Sequence, residues 1–183
     1  MILYIILGVV VFGIFYVISM YNKLVKKRTM VEEGWSGIDV QLKKRYDLIP
    51  NLVETVKGYA GHEKETLENV IKARNMAISA NGVKDQEKAE AGLSSALSGV
   101  FALGESYPDL KANQNFIQLQ NELSKVEGDL EKARRYYNAT VRENNIMIES
   151  FPSNIIANSF NFQRVDFFEI EDDSQRATPQ VKF

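Results

Sequence analysis

Residues 2–20 read ILYIILGVVVFGIFYVISM, nineteen positions without a charged side chain. As a helix this run covers about 28 Å, close to the roughly 30 Å hydrocarbon thickness of a bilayer. Tyr4, Tyr16 and Tyr21 lie near its ends, where amphipathic rings favour the headgroup layer. A cleaved signal peptide needs a basic stretch ahead of the apolar run and a small-residue cleavage site behind it. Here no Lys or Arg precedes the run, and the exit is Ser19-Met20-Tyr21-Asn22. Without a cysteine the chain has no lipoprotein attachment point either. The expectation is an uncleaved transmembrane anchor over residues 1–21.

Working outward, Lys23, Lys26, Lys27 and Arg28 follow the run directly, and no acid intervenes before Glu32. The excess of positive charge on this flank predicts the N-terminus outside and the rest of the chain in the cytoplasm. The competing reading is that these side chains merely snorkel at an interface. Leu24, Val31, Trp35, Ile38, Leu42 and Ile49 then fall on one helix face. The membrane helix is therefore expected to continue into the domain, holding it stiffly rather than on a flexible tether. Gly34 and Gly37 are the exceptions, each costing about 1 kcal/mol relative to Ala in a helix interior. Either a second helix approaches closely there or the glycines mark a weak point. The place of Trp35 in the seam predicts that it is buried.

Asp47-Leu48-Ile49-Pro50 is predicted to be a turn, because proline disfavours helix in the residue before it and suits the first turn of a new helix. A second helix with Leu52, Val53, Val56 and Tyr59 on one face follows. A further helix runs from His62-Glu63 to about Ala80, with Leu67, Val70, Ile71 and Ile78 at helical spacing. Ser79 to Val83 reads as a loop, with Asp85 as N-cap of a small-residue-rich helix from Gln86 to Leu103. After a break at Tyr107-Pro108-Asp109, Phe116, Leu119, Leu123, Val126, Leu130, Ala133, Tyr137, Val141, Asn144 and Ile148 step by three or four over about 48 Å. This coiled-coil-like seam ends at Ser150-Phe151-Pro152. From Ser153 the periodicity fades, predicting an extended tail that lays Phe160, Phe162, Phe167 and Phe168 into grooves before the acidic run Glu169 to Asp173 and a mobile end. The fold class is all-α: an N-terminal transmembrane helix, an antiparallel four-helix-bundle-like domain over residues 22–157, and an extended tail over residues 158–183.

The chain has 183 residues, 45% hydrophobic and 25% charged, which suits a folded domain rather than wholesale disorder. A net charge of -2 gives no global attraction for nucleic acid. The absence of cysteine removes disulfides, thiolate nucleophiles and Cys-ligated metals. His62 is the single histidine, so His62-Glu63-Lys64-Glu65 cannot supply the two histidines of a helical zinc protease. Asp39, Asp47, Glu54, Glu63 and Glu65 lack the Glu-x-x-His companions of a di-metal bundle and read as solvated faces. Arg74, Arg134, Arg135 and Arg142 sit beside acids such as Glu131 and read as surface pairs. Asn138, Asn144 and Asn145 lie near the seam of the long helix. They either specify register or hydrogen-bond the backbone of the tail, and extended chain needs such partners. No phosphate loop and no Ser-His-Asp set is present. No catalytic, cofactor-binding or metal site is expected.

Several stretches resemble the LemA family: Glu33-Gly34-Trp35-Ser36, Arg45-Tyr46-Asp47-Leu48-Ile49-Pro50-Asn51-Leu52-Val53, Tyr107-Pro108-Asp109-Leu110, Ala133-Arg134-Arg135-Tyr136-Tyr137-Asn138, Phe151-Pro152-Ser153-Asn154 and Pro179-Gln180-Val181-Lys182-Phe183. The resemblance implies a bacterial protein with one N-terminal span and an antiparallel helical bundle outside the membrane. It carries no catalytic residues over. One member is associated with magnetosome membranes and others are linked to membrane stress beside a membrane protease. The expected function is a non-enzymatic membrane scaffold or adaptor, the alternative a regulatory partner of a membrane protease or envelope-stress system. Expected partners are the bilayer through residues 2–20 and a second copy or another membrane protein, with no nucleic acid.

Overall fold

The computed structural model describes residues 1–168, which form six α-helices and no strand. In chain order these are α1 (Ile2–Lys57), α2 (Lys64–Ile78), α3 (Val83–Ser106), α4 (Pro108–Lys111), α5 (Gln114–Glu149) and α6 (Ser153–Ser159). The protein is all-α, a long apolar N-terminal helix leading into a helical bundle. Residues 1–39 with 132–167 form one compact unit, and residues 40–131 with Phe168 form another. Helices α1 and α5 contribute to both.

Helix α1 changes character along its length. Every residue from Ile2 to Ser19 is exposed. From Leu24 onward Val31, Ile38, Leu42, Ile49, Leu52, Val53 and Val56 are buried. The seam continues past Pro50, so the expected turn at Asp47 to Pro50 does not form and the expected second helix is the end of α1. Proline has no N–H to offer the carbonyl of Tyr46, one turn back. That carbonyl instead accepts a hydrogen bond of 2.8 Å from Nε of Arg74 on α2. A side chain from another helix thus satisfies the acceptor that would have made a break favourable. Arg74, read from the sequence as a surface pair, acts here.

In the unit built on residues 40–131, Ile49, Leu52 and Val56 of α1 join Leu67 and Val70 of α2. Leu93, Leu97 and Val100 of α3, Leu110 of α4, and Phe116 and Leu123 of α5 complete the cluster. The buried stripe of α2 runs through Leu67, Val70 and Ala77, leaving Ile71 and Ile78 exposed, contrary to their expected place in its seam. Gly82, with φ of +82°, precedes α3, which starts at Val83. A positive φ is open to glycine, so the chain turns at Gly82; Asp85 lies in the first helical turn and is not the N-cap. Pro108 opens α4, and the Asn113 side chain caps α5 by accepting from the N–H of Phe116 at 3.0 Å.

In the unit built on residues 1–39 and 132–167, Leu24 packs with Ile148, Ile156, Ala157 and Phe162. The two α1 glycines have opposite meanings. A Cβ at Gly34 would lie 3.1 Å from Cα of Tyr137 and 3.2 Å from Oγ1 of Thr140, whereas one at Gly37 would meet nothing. Gly34 is thus a close-approach position, and Gly37 a local concession. Trp35 is only half-buried, not enclosed as expected, and sets its ring edge-on to Tyr137 at 5.5 Å. The segment after Pro152 is not extended throughout, since α6 forms over Ser153–Ser159. Ile156 and Ala157 give that helix of about two turns a buried face, which outweighs its weak intrinsic tendency. Phe162 and Phe168 are buried and Phe160 is exposed. The acidic run Glu169 to Asp173 and the motif Pro179 to Phe183 lie outside the described residues.

Candidate functional site

Among the described residues, each unit holds a buried polar assembly. The first is ionic. Arg45 falls in the heptad of Leu24, Val31, Ile38 and Leu52, and so on the buried stripe of α1. Gln86 and Glu90 occupy the buried stripe of α3 with Leu93 and Leu97. Arg45 and Glu90 are 3% and 2% exposed. Nη1 of Arg45 donates to Oε2 of Glu90 at 2.7 Å, and Nη2 donates to Oγ of Ser94 at 2.8 Å. Nη2 also lies 3.3 Å from the carboxylate of Glu127, which is half exposed. The Tyr46 hydroxyl donates to the other Glu90 oxygen. The Gln86 amide donates toward that same oxygen at 3.0 Å and toward the Tyr46 hydroxyl at 2.8 Å. Burial first, and then the adjacent Glu90 carboxylate, push the Tyr46 phenol well above its ordinary range. The hydroxyl therefore stays protonated and keeps donating.

Chemically this node is closed. Both Glu90 oxygens and both terminal Arg45 nitrogens are engaged by protein groups. Its geometry suits a device that fixes how α1, α3 and α5 register. Sequence reasoning missed it, yet a signal existed: a charged residue at a heptad position otherwise filled by Leu, Val and Ile.

The second assembly is neutral. The side-chain amide of Asn145 donates to the carbonyl of Val165 at 2.8 Å, and its oxygen accepts from the N–H of Val165 at 3.0 Å. The Tyr137 hydroxyl donates to the carbonyl of Asp166 at 3.0 Å. Burial raises the Tyr137 phenol to about 12. Asn145 thus plays the tail-binding role proposed for it from sequence, joined by Tyr137, which had been read only as an apolar seam residue.

The remaining sequence candidates stay apart. His62 is exposed in the turn between α1 and α2. Glu63 accepts from the Tyr107 hydroxyl at 3.0 Å, and this bond holds the Tyr107 phenol above its usual value. Asp47 pairs with Lys43 one turn back, and Glu54 with Lys57. Among the described residues no three His, Asp or Glu side chains gather as metal ligands. Near the end of the apolar run, Lys27 pairs with Glu143 at 2.5 Å, a contact that lowers the Glu143 carboxyl below its ordinary value. The Arg28 guanidinium sits 5.6 Å from the ring centre of Phe162. A shallow depression on α2 lined by Glu68, Ile71, Lys72, Asn75 and Met76 is the surface of one helix and encloses nothing.

A long apolar N-terminal helix leading into an all-α bundle defines the class: a protein with, among the described residues, one helix long and apolar enough to cross a membrane, bearing a helical domain. The chain belongs to the LemA family, whose model matches residues 34–183. It is 25% identical to the protein LemA of Metamycoplasma hominis over 172 residues, covering 91% of this chain and 77% of the relative. It is 23% identical to the magnetosome protein MamQ 2 of Paramagnetospirillum magneticum over 189 residues, covering 88% and 70%. It is 22% identical to the magnetosome protein MamQ of Magnetospirillum gryphiswaldense over a stretch of the same length.

Proposed function

We propose that this chain is a single-pass scaffold or adaptor without catalytic activity, anchored in a bacterial inner membrane through residues 2–20 with its bundle on the cytoplasmic side. One observation carries the reading: α1 is a single helix whose apolar first third is exposed along its length and whose remainder buries one stripe, Leu24, Val31, Ile38, Leu42, Ile49, Leu52 and Val56, in the core. An isolated span gains nothing from continuing as the spine of a domain. A protein that must present that domain at a set angle to the membrane does. The closed state of the Arg45–Glu90 node, and relatives named as magnetosome proteins, agree with a structural role. The cations Lys23, Lys26, Lys27 and Arg28 favour the cytoplasmic side.

Affinity capture of the full chain from detergent-solubilised membranes tests the role. Recovery of further copies, or of several membrane proteins, is expected. A single stoichiometric protease or stress-system subunit would favour the regulatory alternative, and turnover of a substrate by the purified chain would overturn both. For orientation, a cysteine at exposed Lys84 is expected to resist an impermeant thiol reagent in intact cells and to react after lysis; labelling in intact cells would reverse the side.

A further inference from the structure

We infer that α6 and its flanking residues form a second lipid contact, with Phe151 and Ile155 resting in the headgroup layer of the leaflet from which α1 emerges and Phe160 beside them. The inference rests on the reading of residues 2–20 as the anchor and adds an interfacial surface to it.

The depth of α6 follows from its packing. Leu24 is buried against Ile156 and Ala157 of α6 and against Phe162. Four residues separate Leu24 from Met20, a rise of about 6 Å in a helix, which is within the headgroup layer. The link is tightened by Tyr21, the first residue beyond the apolar run. Its ring meets Phe160 edge-on at 4.9 Å and Phe162 at 5.7 Å. Whatever depth the membrane gives Tyr21, Phe160 shares.

Among the described residues, α6 and its flanks leave three large apolar side chains mostly uncovered, Phe160 beside its contact with Tyr21. Phe151 is 81% exposed, Ile155 58% and Phe160 53%. Single exposed apolar residues need no explanation, but three large ones within ten positions, tied to the exit of a membrane span, do. The charge nearby is complementary to lipid phosphate: Lys23, Lys26 and Arg28 are exposed on the same turns of α1. The exposed acid Glu149 is offset by Arg164 at 2.7 Å. Aromatic and aliphatic groups among cations are the composition that binds an interface without crossing it. The occupant is thus the bilayer itself, continuous with the surface the anchor already offers it. Two contacts, one spanning and one lying on the surface, would set the tilt and rotation of α1 as a single span cannot.

The absence of cysteine makes the test direct. Full-length single-cysteine variants Phe151→Cys, Ile155→Cys, Phe12→Cys and Lys84→Cys are labelled with a polarity-sensitive fluorophore. They are reconstituted in phosphatidylcholine–phosphatidylglycerol vesicles carrying nitroxide lipids at a shallow or a deep acyl position, and helical circular dichroism confirms each fold. Phe12 is expected to be quenched best by the deep nitroxide and Lys84 by neither. Labels at residues 151 and 155 are expected to emit to the blue of Lys84 and to be quenched severalfold more by the shallow nitroxide than by the deep one. If they behave like Lys84 while Phe12 is quenched, the interfacial contact is refuted and the anchor stands. If Phe12 escapes quenching, the anchor reading falls and the contact with it. Blue emission at residue 155 that lipid nitroxides leave untouched, and that vanishes as protein is diluted in lipid, would assign the face to a second copy and overturn the proposal.

Discussion

The ion pair of Arg45 with Glu90 and the clasp of Asn145 on Val165 are both buried, yet they carry opposite risks. The first joins two helices through full charges withdrawn from water; the second holds the irregular chain at Val165 through neutral amide groups. A buried charge that loses its partner keeps its desolvation penalty, whereas an amide that loses its partner forfeits a smaller one. One unit is therefore specified by a device that is intolerant of half measures, and the other by a device that degrades gradually.

The largest effect expected comes from splitting the ion pair. Glu90→Ala takes from the Arg45 guanidinium its one buried counter-charge, leaving the half-exposed Glu127 at 3.3 Å, and is expected to remove about 3–5 kcal/mol of unfolding free energy. The double variant Arg45→Met with Glu90→Leu is expected to recover most of it, because the charge leaves together with its counter-charge. Urea titration of a fragment lacking residues 1–22, itself expected to be soluble and helical, reads both. A double variant no better than the single would show that the charges contribute more than specificity.

Next comes the glycine pair. Gly34→Ala pushes a methyl group against the Tyr137 backbone, and such overpacking costs about 1–3 kcal/mol. Gly37→Ala meets open space and should stabilise by about 0.5–1 kcal/mol. Thermal midpoints shifting in opposite directions would support the close approach; two midpoints shifting upward would sink it.

Loosening the neutral clasp should have a smaller effect. Asn145→Ala is expected to cost about 1–2 kcal/mol, and Tyr137→Phe about 1 kcal/mol. Amide exchange of Val165 should rise in the first while exchange of Leu93 and Val100 stays slow. A global rise in exchange would mean that the clasp is not a local device.

The smallest expectation concerns alkaline pH. The phenols of half-buried Tyr46 and buried Tyr137 resist ionisation, Tyr137 up to about 12. Their unfolded counterparts ionise near 10. The stability they contribute is complete below pH about 10 and declines as pH rises toward the folded values, because only the unfolded chain releases the protons there. A flatter alkaline limb in Tyr137→Phe than in the parent would confirm the sign, and an unchanged limb would contradict it.

Much was legible in the residues alone. Nineteen uncharged positions can only be accommodated cheaply in lipid or in a core, and the apolar seven-residue rhythm that follows requires a helix with one buried face. The long seam of α5 was visible for the same reason, and tail binding was one of the two roles open to the seam asparagines, since extended chain needs hydrogen-bond partners. Local rules misled where a distant group changed the balance. Pro50 reads as a break because proline disfavours helix in the residue before it and suits the start of a new helix, and only the fold brings Arg74 to the Tyr46 carbonyl that Pro50 leaves without a donor. The residues after Pro152 read as extended because the helical periodicity fades at Ser153, and a helix as short as α6 is stabilised only by packing Ile156 and Ala157 with Leu24. Patterning along the chain reports which face of a helix avoids water. Which polar groups meet across the interior depends on how helices from distant parts of the sequence are brought together, and that was decided by the tertiary structure.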